Sequence, residues 1–478
     1  MSDAERKPLK GQDATVRKRG RGKDLTAGSV RRHILGLTGF MAIGSLASMT
    51  FQVVDTYFVA QLGTEALAAM AFTFPVVMIL HAISIGLGTG VTSVVSRVVG
   101  GGGGSESRSL ATDSLLLGIL TTAAFSVVGL MTIDPLFSLL GADAAVMPLI
   151  HDYMEIWYLG IVFMVVPLIG NSVIRAHGNA KFPSMIMSLG AVLNIVLDPI
   201  LIFGLFGAPR LELQGAALAT VTARFITFAA ALWVLHYRMN ALSYEWPTVS
   251  RVAANWRKIL HIGLPSTGTQ LIGPVSMGVL TALIASFGSV AVAAYGVATR
   301  VEMFSLIIVM AISISMGPFV GQNAGAGRID RVRVALRFCL QLCFFYGVLM
   351  AVLLAMFGPA VAGLFSDESD VLRMAAFYLL VVPISYPVVS VIGISSQTFN
   401  SLAKPIPAMV IGAGKSLVVQ VPFAYAGAAI GGIEGVFVSM AASTFVMAAV
   451  AYVWIRRTIT NEERVAATLV EPVATPAE

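Results

Sequence analysis

Twelve apolar runs of about twenty residues or more divide the chain, a pattern that no single water-soluble core accommodates. They lie near 33–61, 66–98, 109–133, 146–170, 181–206, 214–237, 257–287, 290–321, 334–358, 371–399, 405–427 and 433–455. Only 12% of the 478 residues are charged, against about 25% in soluble domains. The reading is an all-α polytopic membrane protein embedded in a lipid bilayer.

Charge placement orients the runs. Of 31 Lys and Arg, 26 fall in the N-terminal tail, the even-numbered loops or the C-terminal tail. Odd loops keep Arg210 and Arg373, while Arg224, Arg300 and Lys415 lie inside apolar runs. Lys and Arg mark the cytoplasmic side. Both termini are therefore expected in the cytoplasm and the chain in a cell (inner) membrane.

An internal repeat divides the molecule. EALAAMAFTFPV…SRVVGGG at 65–102 aligns without gaps to VAVAAYGVATRV…GQNAGAG at 290–327, a shift of 225. Six helices per repeat is an even number, so both halves insert alike. The expected architecture is two six-helix lobes related by a pseudo-two-fold axis along the membrane normal. The N-lobe is read over 33–237, a cytoplasmic linker over 238–256 and the C-lobe over 257–455. Residues 1–32 and 456–478 read as cytoplasmic tails, the first basic and disordered. That basic stretch has no interleaved aromatic residues, so nucleic acid is not an expected partner.

Several motifs carry no chemistry. GAGKS at 412–416 resembles the end of a phosphate loop, but Met409 stands where the first glycine is needed and no strand precedes it. Cys339 and Cys343 are four apart on one helix face. A disulfide there is geometrically disfavoured and a metal site lacks ligands, so packing is expected. No catalytic constellation, cofactor or metal cluster is expected, and the chain does not read as an enzyme.

The ionisable groups inside apolar runs are the candidate site. A charge at mid-depth costs about 2.5–3.5 kcal/mol on insertion scales. Asp55 interrupts FQVVDTYFVA, and Asn194 and Asp198 interrupt LGAVLNIVLDPILIFG. Four residues apart, Asn194 and Asp198 share a helix face, so the amide can bond the carboxyl. At the repeat shift Asp55 corresponds to Leu280, and Asp198 falls on Val421 or Pro422. A scaffold requirement would recur in both halves; these acids do not. The C-lobe offers different polar points, namely Gln270, Arg300, Glu302 and Lys415, with Glu302 and Lys415 expected as charge partners.

Taken together, VDTYFVAQLGTEALAA, RAHGNAK, LNIVLDPILIFG with the following GAALAT, and GQNAGAGRIDRVR resemble the multidrug and toxic compound extrusion (MATE) family over about 33–455. Within it the chain looks most like the DinF-type branch, whose coupling acids lie in the N-lobe and match Asp55 and Asp198. The resemblance implies two six-helix lobes around a central cavity and export of small organic, often cationic, drug-like compounds against an ion gradient. It also places Asn194, Tyr153, Thr220 and Asn171 in the acids' polar network. Members often carry a proline early in the first helix; here GLTGF stands instead, leaving Gly39 and Gly44 for any bend.

The expected function is secondary active multidrug efflux driven by the H⁺ gradient, by a monomer. Sodium coupling through Asp55, Asn194, Asp198 and Thr220 is the alternative, since these supply several oxygens. A lipid-linked oligosaccharide flippase is a further one, although it would favour more cavity cations than Arg224, Arg300 and Lys415.

Overall fold

The computed structural model describes residues 22–468. The helical hydrogen-bonding pattern follows the apolar runs, because a backbone in lipid must satisfy its polar groups internally. The first three spans are Val30–Ala60, Thr64–Gly100 and Gly104–Met131. The fourth is bent by 43° between Met147–Gly160 and Val162–Ala176, and Lys181–Phe203 and Glu212–Arg238 complete the N-lobe. The C-lobe opens with Val249–Ala285. Its eighth span joins Ser289–Ser305 to Ile307–Gly325, and Ile329–Ala362 and Ser369–Ser401 follow. The helical run Pro405–Ala466 contains the last two spans, reversing at Gly431 and Gly432. Gly432 has φ 57° and ψ −142°, a conformation open essentially to glycine alone. Among the described residues, twelve spans in two lobes result, as the apolar runs predict.

The helices overrun their apolar cores. The first begins at Val30, the seventh at Val249 and the twelfth ends at Thr468. The seventh helix thus takes in part of 238–256, and helix continues past 456. The expected disordered tail is also too long. Residues 22–29 are ordered and end in Ser29, whose side chain accepts from the Arg32 N–H as the helix N-cap. The rest of that tail, residues 1–21, lies outside the described residues.

The lobes exchange half-helices at the face carrying the Lys/Arg-rich loops, termed the basic face here. Ile34, Leu37 and Met41 of the first helix are buried in a C-lobe cluster with Ile312, Phe319 and Ala335. Ile259 and Ile262 of the seventh are buried among N-lobe residues. At the shift of 225, Ile34 and Leu37 correspond to Ile259 and Ile262, so the exchange repeats in both halves. Close backbone contact seals the same face. A Cβ on Gly90 would lie 2.5 Å from the Ile259 carbonyl oxygen, and one on Gly325 would lie 1.9 Å from that of Arg97. Among the described residues, the hydrogen bonds that cross between lobes gather at this face, such as Ser93 to the Asn400 carbonyl and Gln322 to the Ala176 carbonyl. The molecule is closed on its basic side.

Asp113 of the third helix is a fixed point of that closure. It is 1% exposed. Its Oδ2 accepts from Asn255 Nδ2 at 2.7 Å, its backbone carbonyl accepts from Trp256 Nε1 at 2.8 Å, and Arg251 Nε stands 3.8 Å away. Thr112 and Ser243 are bonded through the Ser243 N–H at 2.9 Å, and Lys258 pairs with Glu106 at 3.0 Å. The polar start of the seventh helix is thereby held on the N-lobe.

Candidate functional site

Asp198 sits in the fifth span, fully buried. Pro199 follows it and cannot donate to the Ile195 carbonyl, which loosens the helix next to the acid. Asn194, one turn earlier, and Thr220 of the sixth span are buried beside it. In one amide orientation, Asn194 Nδ2 donates to Asp198 Oδ2 at 2.7 Å and to Oδ1 at 3.1 Å. Its Oδ1 then accepts from Thr220 Oγ1 at 3.1 Å. With the amide turned over, Nδ2 donates to Thr220 Oγ1 at 3.1 Å and the amide oxygen faces the carboxyl. The first arrangement suits a carboxylate, an acceptor only; the second suits a carboxylic acid with a proton to donate. One side chain can thus satisfy Asp198 in both protonation states.

Asp55 faces this network from the first span. Its charge acts on both Asp198 and Tyr153, a buried residue of the fourth span. Arg224 is the cation acting on Asp55, and its guanidinium stands 5.6 Å from the centre of the Phe51 ring. Among the described residues neither acid has an ion-pair partner within 4.0 Å. The structure therefore brings together Asp55, Asp198, Asn194, Thr220 and Tyr153, which lie on four different spans. Asn171 is also buried, but its Oδ1 has no hydrogen-bond partner and it makes no bond to the acids. Arg224 belongs beside the network, although the sequence marked it only as a cation inside a helix.

The C-lobe differs from expectation. Glu302 Oε2 accepts a 2.5 Å hydrogen bond from the Tyr378 hydroxyl. Lys415 acts on Glu302 electrostatically but forms no ion pair within 4.0 Å of it. The lysine lies on the π-helical stretch Gly414–Gln420, a geometry concentrated at functional sites. Gln270 and Arg300 are exposed and make no hydrogen bond to this pair. Tyr378 was not legible as a partner, because a tyrosine in an apolar run reads as packing. A double-mutant cycle on thermal stability should give Tyr378→Phe and Glu302→Gln a coupling of about 1–3 kcal/mol, with a smaller one for Lys415→Met and Glu302→Gln. The reverse order would restore the direct charge pair.

A family model described as MatE matches twice, over residues 41–200 and 265–426, in step with the repeat. The chain is 37% identical over 428 residues to a FAD transporter of Shewanella oneidensis, covering 90% of this chain and 95% of that one. It is 30% identical to the multidrug export protein MepA of Staphylococcus aureus, covering 71% and 75%. Among solved structures, the Vibrio cholerae MATE transporter VcmN in the bent form superposes with a TM-score of 0.86. That match is at 31% identity and covers 91% of this chain and 98% of that one. A MOP superfamily transporter from Pyrococcus furiosus gives 0.85 at 25% identity, covering 93% and 99%.

Proposed function

The chain belongs to the MatE family, and from that premise we propose that it exports small organic compounds in exchange for protons by alternating access. The observation that carries the coupling is the Asp198–Asn194–Thr220 network facing Asp55. A like-charged pair in a desolvated site can hold one proton between its members and titrates as a unit. Protonation from outside would cancel the carboxylate, turn the Asn194 amide and change what the first helix faces, so that substrate leaves as the proton enters. Each charge moved inward gains about 2.3 kcal/mol per 100 mV, enough for roughly fiftyfold accumulation. Proton release tests the reading directly. Adding a transported substrate to purified protein in weak buffer should release protons from the wild type and not from Asp198→Asn. Equal release from both would remove Asp198 from the mechanism.

The basic face is, in this reading, the cytoplasmic one, and the membrane is the cell membrane. A cysteine at Ser105 should react with an impermeant maleimide in inside-out vesicles and stay unlabelled in intact cells. Labelling from outside would invert the topology.

A second reading concerns the substrate. Similarity to the FAD transporter extends over nearly its whole length, which favours an anionic flavin dinucleotide over the cationic amphiphiles expected from the sequence. Arg224 with Phe51 offers such a ligand a cation and a ring next to the coupling acids. Uptake of FAD and of a cationic dye into the same everted vesicles separates the two. FAD uptake that falls at least tenfold in Arg224→Gln supports the anion, whereas dye uptake alone refutes it.

A further inference from the structure

Residues 22–29 lie across the junction of the lobes on the basic face. We propose that this segment is a latch that holds the face shut and must release in every transport cycle. It rests on export by alternating access but not on which substrate or ion is used.

The latch grips the C-lobe by its backbone. Leu25 is fully buried in the C-lobe cluster. Its N–H donates to Gln322 Oε1 at 3.0 Å, and its carbonyl accepts from Asn323 Nδ2 at 3.2 Å and Arg331 Nη2 at 3.1 Å. Arg331 also donates through Nη1 to the Gly28 carbonyl at 2.9 Å and through Nε to Asn323 Oδ1 at 2.9 Å. One guanidinium therefore binds the segment at two carbonyls, those of Leu25 and Gly28, and braces the Asn323 amide that also holds it. Charge-assisted bonds of this kind are the stronger class. Gln322 completes the bridge, because its Nε2 donates to the Ala176 carbonyl of the N-lobe at 2.8 Å.

The hold on the N-lobe loop is lighter. The Lys23 N–H donates to the His177 carbonyl at 2.9 Å. Gly178 (φ +79°) lies under the segment so closely that a Cβ there would be 2.3 Å from the Lys23 carbonyl oxygen. Opening the basic face separates the loop around His177 from Gln322 and Arg331. The segment bridges both, so one attachment has to break. The single backbone bond to His177 gives way first, and the segment travels with the C-lobe.

The repeat supports this reading independently. At the shift of 225, residues 22–29 correspond to 247–254, the start of the seventh helix. That stretch and the residues just after it are likewise held on the opposite lobe, through Arg251, Asn255 and Trp256 on Asp113. Each lobe's leading segment thus clamps the other lobe on the same face.

Two measurements on the full chain, with Cys339 and Cys343 replaced by alanine, test the latch. Ser93 is 1% exposed in the seam, so Ser93→Cys reports its opening. In inside-out vesicles, an impermeant maleimide should label it about tenfold faster in Arg331→Gln and in Leu25→Asn, the shift expected for one charge-assisted bond. Unchanged labelling in both variants, with melting temperatures near that of the parent, would overturn the proposal. This readout needs no substrate or ion gradient, so it stands apart from the coupling reading. The second measurement does not depend on weakened variants. A Cβ on Gly22 would lie 3.3 Å from that of His177, close to disulfide range. Oxidised Gly22→Cys/His177→Cys should lose export and regain it on reduction. Full disulfide formation with undiminished export would equally overturn the proposal.

Discussion

Asp55→Asn and Asp198→Asn should each abolish gradient-driven export while leaving the fold nearly intact. Asparagine keeps the shape and hydrogen-bonding capacity of the acid and cannot take up or release the proton. At position 198 the Asn194 amide can still bond the new side chain in either of its two orientations. Neither acid has an ion-pair partner within 4.0 Å among the described residues, and Arg224, which acts on Asp55 from farther away, keeps its place against the Phe51 ring. Structural acids behave otherwise, since breaking one side of a buried pair costs about 3–5 kcal/mol. Expression and melting should therefore change little, ligand binding should persist, and export should fall at least a hundredfold. Normal export by both single variants would end the assignment of these acids to coupling. Loss of folding in both would make them structural.

Asp113→Ala should do the opposite, reducing stability by about 1–3 kcal/mol. The carboxylate accepts from Asn255 and lies 3.8 Å from Arg251 Nε, which has no hydrogen-bond partner. Removing it leaves Arg251 with the exposed Glu245 alone at 3.5 Å, and the Asn255 amide with only the longer 3.3 Å bond to Ser109, at the start of the seventh helix. Thermal unfolding should begin earlier, and proteolysis at 239–248 should speed up, because the linker loses its anchor. Asp113→Asn should recover part of the loss through the hydrogen bond to Asn255. A melting temperature for Asp113→Ala equal to the parent's would show that this cluster does not hold the lobes together.

These three acids show what can be read from sequence and what cannot. Asp55 and Asp198 stand out because a charge inside an apolar run has no cheap explanation. Asn194 and Thr220 follow from helical spacing and the family resemblance. Asp113, as buried as Asp198, sits at the edge of the run 109–133 close to Arg108, and nothing near it in sequence marks a partner; only packing against Asn255 and Trp256, more than 140 positions away, buries it. The latch was illegible for a similar reason. GKDLTAGS contains one large apolar residue, Leu25, and its bonds are made by main-chain groups to side chains about 300 positions distant. Side-chain types do not encode such bonds. The helices extend past the apolar runs where amphipathic turns leave the lipid, as at Val249–Asn255, because hydropathy measures burial in lipid and not helicity. In the C-lobe the charges Glu302 and Lys415 were visible, but the hydroxyl of Tyr378, which takes the carboxylate, was not.

Exchange of protons for substrate is the central claim, and flux into proteoliposomes tests it most directly. Purified protein should accumulate substrate when a pH gradient is imposed, lose the accumulated substrate when an ionophore collapses that gradient, and show no response to an imposed sodium gradient. Accumulation that follows sodium and ignores pH would contradict proton coupling and assign Asp55, Asn194, Asp198 and Thr220 to a sodium site instead.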